Sequence, residues 1–508
     1  MNRESPHRAA SQSDAYDRGE LLRRGAGGAL ALGAAAAAWP LEPARATADP
    51  RLAALARRLD GDLIPRGGKG YAPARLVWNP RFDGIRPLAV TYAETIEDVR
   101  RVIQWAERYD VPLATRSGGH SFAGYSTTGG IVLDVSRLSN VHTNADGTAS
   151  VSAGAKLGSV YGRLWSQGRA VPFGTCESVG VSGLTLGGGH GYSSRALGLA
   201  CDNVTEIEIV TADGRLRLCN EHSEPELFWA LRGAGAGSFG VVTKLVYRTH
   251  PVDFVTTVNL NWAWADARNV AQAWQAFAPG APDSLSCSLT FAPPPPAGGP
   301  PQIVVNGQNF GARDETISLL APLTDAVRPT KLAFVRRPFI SAVSYFAADN
   351  PERRSFAARS NYGLSPLPDA GIDVIIGALE AAARDPRLGA VGSLLFAHGG
   401  AINRVDTGAT AFAHRSALFA IRYTAFWSVT ATPDVAAAHL GWVRDTHAAM
   451  QPFVSRGAVT NYSDPELKDW GTAYYGPHLA RLVAVKRRYD PDNVFRFAQS
   501  IPMRLPGP

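Results

Sequence analysis

A chain of 508 residues is too long for one ordinary hydrophobic core, so more than one domain is expected. Its 45% hydrophobic and 19% charged residues give a globular balance, and a net charge of +7 without any long run of Lys or Arg argues against a nucleic-acid footprint. The 51 glycines follow no period, which excludes a collagen-like chain, and four cysteines without a CxxC pair or an HExxH pattern supply neither a metal site nor a disulfide scaffold.

Residues 1–48 read as an export leader. Arg23-Arg24 precedes an apolar, alanine-rich stretch from Gly25 to Trp39, and Ala46-Thr47-Ala48 offers a cleavage site before Asp49. The paired arginines suggest the twin-arginine route, with a Sec signal or an uncleaved anchor as alternatives. A periplasmic or secreted protein is expected, with no membrane span in its mature part.

Beyond the leader, Pro87–Thr91 reads as a strand. Thr95 caps a helix with Asp98 at the capping-box spacing, and Val99, Val102, Ile103 and Ala106 repeat with the helical period. Pro112–Thr115 is the next strand and runs straight into Arg116-Ser117-Gly118-Gly119-His120. Strands follow at Gly130–Val135 and Ala149–Ala153, then a helix near Leu157–Gly168. A second glycine-rich region spans Gly174–Gly198. Strands Val204–Thr211 and Arg215–Cys219 flank the turn Asp213-Gly214, and a third cluster, Gly233–Gly240, leads into the strand Val241–Tyr247. From Val255 the runs are longer and β-rich, with a surface hairpin through Pro293–Pro301. The last 50 or so residues change in composition again.

Glycine lets backbone N–H groups approach an anion and permits positive φ. Three clusters beside strands therefore point to a long cofactor with a pyrophosphate. Gly187-Gly188-Gly189-His190-Gly191 imitates a dinucleotide fingerprint, with Glu206 or Glu208 as the acid. It lies far from the first strand–helix–strand unit, so NAD is not expected.

Three segments carry a family resemblance. Arg116-Ser117-Gly118-Gly119-His120-Ser121 resembles the histidine loop of the vanillyl-alcohol-oxidase, or PCMH-type, FAD-binding fold. Gly174-Thr175-Cys176-Glu177-Ser178-Val179-Gly180 resembles the cysteine loop of the berberine-bridge-enzyme-like group. Tyr475-Gly476 through Gln499-Ser500-Ile501-Pro502 is similar to that group's closing signature. The resemblance covers roughly residues 72–502 and implies an α+β architecture. An FAD-binding part over 49–252 and a tail over 450–508 would form a bipartite FAD domain. A substrate domain over 253–449 would hold a large antiparallel sheet backed by helices.

The resemblance also implies FAD held by two bonds, from His120 to the 8α carbon and from Cys176 to carbon 6. Arg116, Ser117, Gly118, Gly119 and Ser121 would surround it in the first loop. Gly180, Gly183, Gly187, Gly188 and Gly191 would do so in the second, with Val242 and Asn493 completing the set. Cys201, Cys219 and Cys287 read as ordinary core residues. Val179, three residues after Cys176, stands at the position that gates oxygen in the group.

Oxidation of an alcohol or amine by a flavin needs a base beside the ring. The resemblance assigns that role to Tyr462, in Asn461-Tyr462-Ser463-Asp464, with ordinary packing as the alternative. His398, before Gly399-Gly400, stands where the family commonly has a tyrosine, and is expected either to orient or deprotonate Tyr462 or to be structural. Arg422 shares a strand face with Leu418, Ala420, Thr424 and Phe426. A charge there needs a partner: a core carboxylate, or an oxygen-rich or anionic substrate. The expected function is an oxidase of an alcohol carbon in a sugar, glycoside or related small molecule, with O2 as acceptor. Oxidative cyclisation or C–N oxidation of a natural product, and a dehydrogenase with another acceptor, stay open. So does a flavin carrier without catalysis.

Overall fold

The computed structural model describes residues 49–294, 299–347 and 353–505. Residues 1–48, expected to be a leader, lie outside the described residues, as does part of the Pro293–Pro301 turn.

The first strand–helix–strand unit forms as the hydrophobic period requires. Strands Ala89–Tyr92 and Leu113–Arg116 both pair in parallel with Ile131–Asp134. The helix Ile96–Arg108 makes the crossover and buries Val99, Val102, Ile103 and Ala106. Its capping box is complete: Asp98 N donates to Thr95 Oγ1 at 3.1 Å, and Thr95 N donates to the Asp98 carboxylate at 3.2 Å. Five further strands, from Val141–Thr143 through Val241–Arg248, make a second sheet, and both pack into one apolar core.

Residues 254–427 contribute a seven-stranded sheet. Across it the strands run Lys331–Pro338, Phe254–Trp262, Gln302–Asn309, Leu285–Ala292, Ala390–Ala397, Phe419–Trp427 and Ser355–Gly363. Every neighbouring pair is antiparallel. One face is apolar and is covered by the helices Ala267–Phe277, Arg313–Ala326, Asp369–Arg384 and Pro433–Met450. Phe419–Trp427 shows the alternation plainly. Phe419, Ile421, Tyr423, Ala425 and Trp427 enter that core, whereas Arg422, Thr424 and Phe426 line a cavity on the other face.

The C-terminal segment docks on the third glycine cluster. Lys486, on the helix Leu479–Tyr489, is wholly buried and pairs with Asp490. Its ammonium also donates to Ser238 O at 2.8 Å and Phe495 O at 2.7 Å. Tyr475 donates to Ala234 O at 2.8 Å. Among the described residues no helix is long and apolar enough to cross a membrane.

Candidate active site

A cavity of about 1110 Å³ lies between the glycine clusters, the C-terminal segment and the open face of the large sheet. Its walls begin with a close crossing of two loops. A Cβ on Gly118 would collide with Gly180 N, and a Cβ on Gly180 would collide with Ser117. Only glycines allow the two backbones to touch there. Ser117 Oγ and Ser182 Oγ, one on each side of the crossing, both donate to Ala153 O, at 2.7 and 2.9 Å.

The crossing brings His120 and Cys176 into the same cavity wall. Ser178 Oγ lies 3.0 Å from His120 Nε2 and 3.4 Å from Cys176 Sγ. Trp78 stacks on the His120 ring at 4.5 Å. Burial, with a smaller contribution from Lys156, lowers the His120 pKa to about 4. The imidazole is therefore neutral near pH 7 and keeps a nucleophilic lone pair. No disulfide occurs among the described residues.

Positive φ at Gly119, Gly189, Gly235 and Gly237 turns cavity-lining backbone in ways that other residues rarely adopt. No Asp or Glu is found in the described lining. A concave wall of glycine backbone without carboxylates fits a long anionic cofactor.

The opposite wall carries Tyr462. Asn461 positions it: its Nδ2 donates to Leu184 O at 3.0 Å, and its Oδ1 accepts from Gly189 N at 3.2 Å. A Cβ on Gly187 would strike the Asn461 amide, so this close fit also needs glycine. Three groups surround the phenol. Phe122 stacks on it at 5.1 Å, and the Arg422 guanidinium sits 5.1 Å from the ring centre. His190 Nε2 lies 2.9 Å from the hydroxyl. Burial, with Arg422 second, lowers the His190 pKa to about 4, which keeps this ring neutral.

Among the described residues Arg422 makes no salt bridge with a carboxylate, and its Nε is buried without a hydrogen-bond partner. Of the two roles left open for His398, its position fits the structural one. It is fully buried, lies outside the cavity lining, and neither ring nitrogen has a hydrogen-bond partner. Its ring meets His190 edge-on at 5.9 Å and does not reach Tyr462. Leu418 O holds its backbone N–H at 2.8 Å. His398 is thus a packing residue behind the site, and His190 takes the place at the phenol.

Residues 87–220 match the family model of the FAD binding domain, and residues 459–502 match the family model described as berberine and berberine like. The uncharacterized FAD-linked oxidoreductase YgaK of Bacillus subtilis is 34% identical over 88% of this chain and 97% of its own. The chain is a berberine-bridge-enzyme-like FAD-linked oxidoreductase. Solved relatives share its fold. Wild-type BBE-like 1 of Physcomitrella patens, 29% identical, superposes with a TM-score of 0.82 over 89% of this chain and 99% of that one. Xylooligosaccharide oxidase from Myceliophthora thermophila C1, in complex with xylobiose, is 26% identical, with a TM-score of 0.79 over 90% and 99%.

Within this oxidoreductase, Ser117, Gly118, Gly119, Ser121, Gly180, Gly183, Gly187, Gly191 and Val242 line the cavity, and so does Val179. Arg116 also borders it, but its guanidinium pairs with Asp134 and donates to Ala74 O, which makes it a brace for the loop. Gly188 and Asn493 do not line it. Gly188 turns against the Phe412 ring, and Asn493 takes a left-handed turn at φ 53 after the last helix. Ser178, Trp78, His190 and Asn461 belong to the site without having been singled out from the sequence. Ser178, His190 and Asn461 lie inside motifs already noted, so their place in those motifs was the available signal, and Trp78 had none.

Proposed function

We propose that this enzyme oxidises an alcohol carbon of a hydroxyl-rich small molecule, with FAD held by covalent bonds to His120 and Cys176 and with O2 as acceptor. When bound, FAD supplies the hydride acceptor. Tyr462 takes the substrate's hydroxyl proton as its own phenolic proton passes to the neutral His190 ring 2.9 Å away. The Arg422 cation over the ring offsets negative charge as that proton leaves. Ser178, touching both His120 and Cys176, orients the two nucleophiles toward one ligand.

The observation that carries this reading is the Tyr462–His190 pair, braced by Arg422, in a cavity whose described lining holds no carboxylate. An unpaired arginine disfavours a cationic amine substrate by like-charge repulsion and suits oxygen-rich groups. The oxidation of xylooligosaccharides named for one structural relative agrees with it. Val179 lines the cavity near Cys176 and serves as the oxygen gate in this reading, so Val179→Leu is expected to slow reoxidation in air while sparing anaerobic reduction.

The test is direct. Sugars and simple alcohols are mixed with the protein without oxygen, flavin bleaching is followed, and peroxide is then measured in air. No bleaching with any polyol or alcohol would remove the alcohol-oxidase reading. The linkage is read separately: the yellow colour should stay with acid-precipitated protein, and its complete release would refute both bonds. The leader supports export by the twin-arginine route. Replacing Arg23 and Arg24 by Lys should trap the protein in the cytoplasm, and unchanged export would exclude that route.

A further inference from the structure

We propose that the open sheet face carries a second recognition point, an amide ladder of Asn259, Asn261 and Asn306, which binds the hydroxyls of a sugar unit remote from the oxidised carbon. This rests on the alcohol-oxidase reading and makes the substrate an oligomer longer than one ring.

Strand alternation puts Asn259 and Asn261 on one face of Phe254–Trp262, and register places Asn259 opposite Asn306. Asn259 Nδ2 donates to Asn306 Oδ1 at 2.9 Å, and Asn261 Nδ2 donates to Asn259 Oδ1 at 2.9 Å. All three border the cavity. A sheet face that only had to close over an apolar core would carry Val or Leu here, as the opposite face does. A chain of amides consumes one donor and one acceptor at each step. It therefore leaves a carbonyl oxygen at the Asn261 end and an NH2 at the Asn306 end. Flipping every amide only exchanges the ends. One acceptor and one donor held apart by a rigid ladder match neighbouring hydroxyls, each of which both gives and takes a hydrogen bond.

The ladder is connected to the reacting centre by a row across the sheet. Asn306 pairs with Ser288, and Ser288 pairs with Phe396. The His190 ring, which holds Tyr462, stacks on Phe396 at 4.8 Å. Three strand spacings from Phe396 to Asn259 span about 14 Å, more than one sugar ring. Between them, Tyr192 hydrogen-bonds Ser288 at 2.7 Å and stacks on Phe346 at 4.0 Å. Those rings offer an apolar surface to the C–H faces of a sugar, and the amides read its hydroxyls.

The experiment uses the holoenzyme and xylose oligomers of one to five units. The wild type should gain catalytic efficiency with length, chiefly through KM. Asn306→Ala and Asn259→Ala should flatten that gain by about tenfold, one well-placed hydrogen bond. Asn306→Ser, which keeps a hydroxyl, should recover part of it. Flavin content and Tm identify any variant that has merely misfolded, and Asn261→Ala then supplies the same reading. Loss that is equal for all lengths, or no loss, would overturn the ladder. If no xylose oligomer is oxidised, the alcohol-oxidase reading has failed for this class, and calorimetric binding of the pentamer decides the ladder alone. Binding that Asn306→Ala weakens supports it; absence of binding to the wild type, or binding that the variant leaves unweakened, overturns it.

Discussion

His190 Nε2 meets the Tyr462 hydroxyl at 2.9 Å although 272 positions separate them in the chain. The contact depends on two close approaches, Asn461 against the glycine backbone and Phe396 under the imidazole. If this pair moves the substrate's proton, Tyr462→Phe should lower the rate of anaerobic flavin reduction by about 10²–10⁴-fold. His190→Asn should also slow reduction, because Asn can accept a hydrogen bond from the phenol but cannot take its proton. Stopped-flow reduction with flavin content unchanged is the measurement. A Tyr462→Phe enzyme that reduces at the wild-type rate would remove Tyr462 from the mechanism.

Gly118 and Gly180 touch backbone to backbone, and that contact holds the His120 and Cys176 loops together. Gly118→Ala places a methyl group against the main chain of the other loop, where no flexible side chain can yield. The expected cost is about 1–3 kcal/mol, with a lower fraction of covalently held flavin. Absorbance after denaturation and the Tm together report it. Full flavin retention at the wild-type Tm would show that the crossing is looser than described.

The local features of this molecule were legible because they are short-range. The capping box at Thr95, the alternation in Phe419–Trp427 and the glycine loops each follow from neighbouring residues. Partner choice was not legible. Both His190 and His398 stand beside glycines, and only the meeting of the C-terminal segment with the second glycine cluster decides which one faces Tyr462. His398 follows the strand Ala390–Ala397 and is fully buried, edge-on to His190 and Tyr362. For Arg422 the strand period gave the face but not the lack of a carboxylate partner among the described residues. Asn259 and Asn261 could be placed on one face from their spacing, whereas Asn306 joins them only through sheet register.

Acid should unfold the protein earlier than its carboxylates alone would. Burial is the main cause that lowers the pKa values of His190, His414 and His447 to about 4, from an ordinary 6.5. Their folded pKa values are below the unfolded ones, so between pH 6.5 and 4 the unfolded chain binds more protons. Stability therefore rises with pH through that window and is lost as pH falls through it, by up to about 1.4 kcal/mol per pH unit for each ring. His120 is left out because a flavin bond would change its titration. Calorimetry should show Tm falling steadily from pH 6.5 toward 4. A flat Tm across the window would mean that these rings open to water or are charged in the fold.

Lys486 and Asp490 form an ion pair with no exposed side-chain surface. The ammonium also serves two carbonyls, and the carboxylate accepts Val494 N at 2.7 Å and Phe495 N at 2.9 Å. Removing one partner leaves a buried charge that is only partly compensated, which costs about 3–5 kcal/mol. Lys486→Met preserves much of the volume, so its effect should be electrostatic. Because Lys486 holds Ser238 O, the variant should also loosen the Gly233–Gly240 cluster, part of which lines the cavity. Covalent bonds would hide a loss of cofactor affinity. The comparison therefore belongs in a His120→Ala, Cys176→Ala background, where flavin release reports non-covalent binding. Weaker FAD binding together with a lower Tm would tie the C-terminal segment to the cofactor. A lower Tm with unchanged FAD affinity would confine Lys486 to folding.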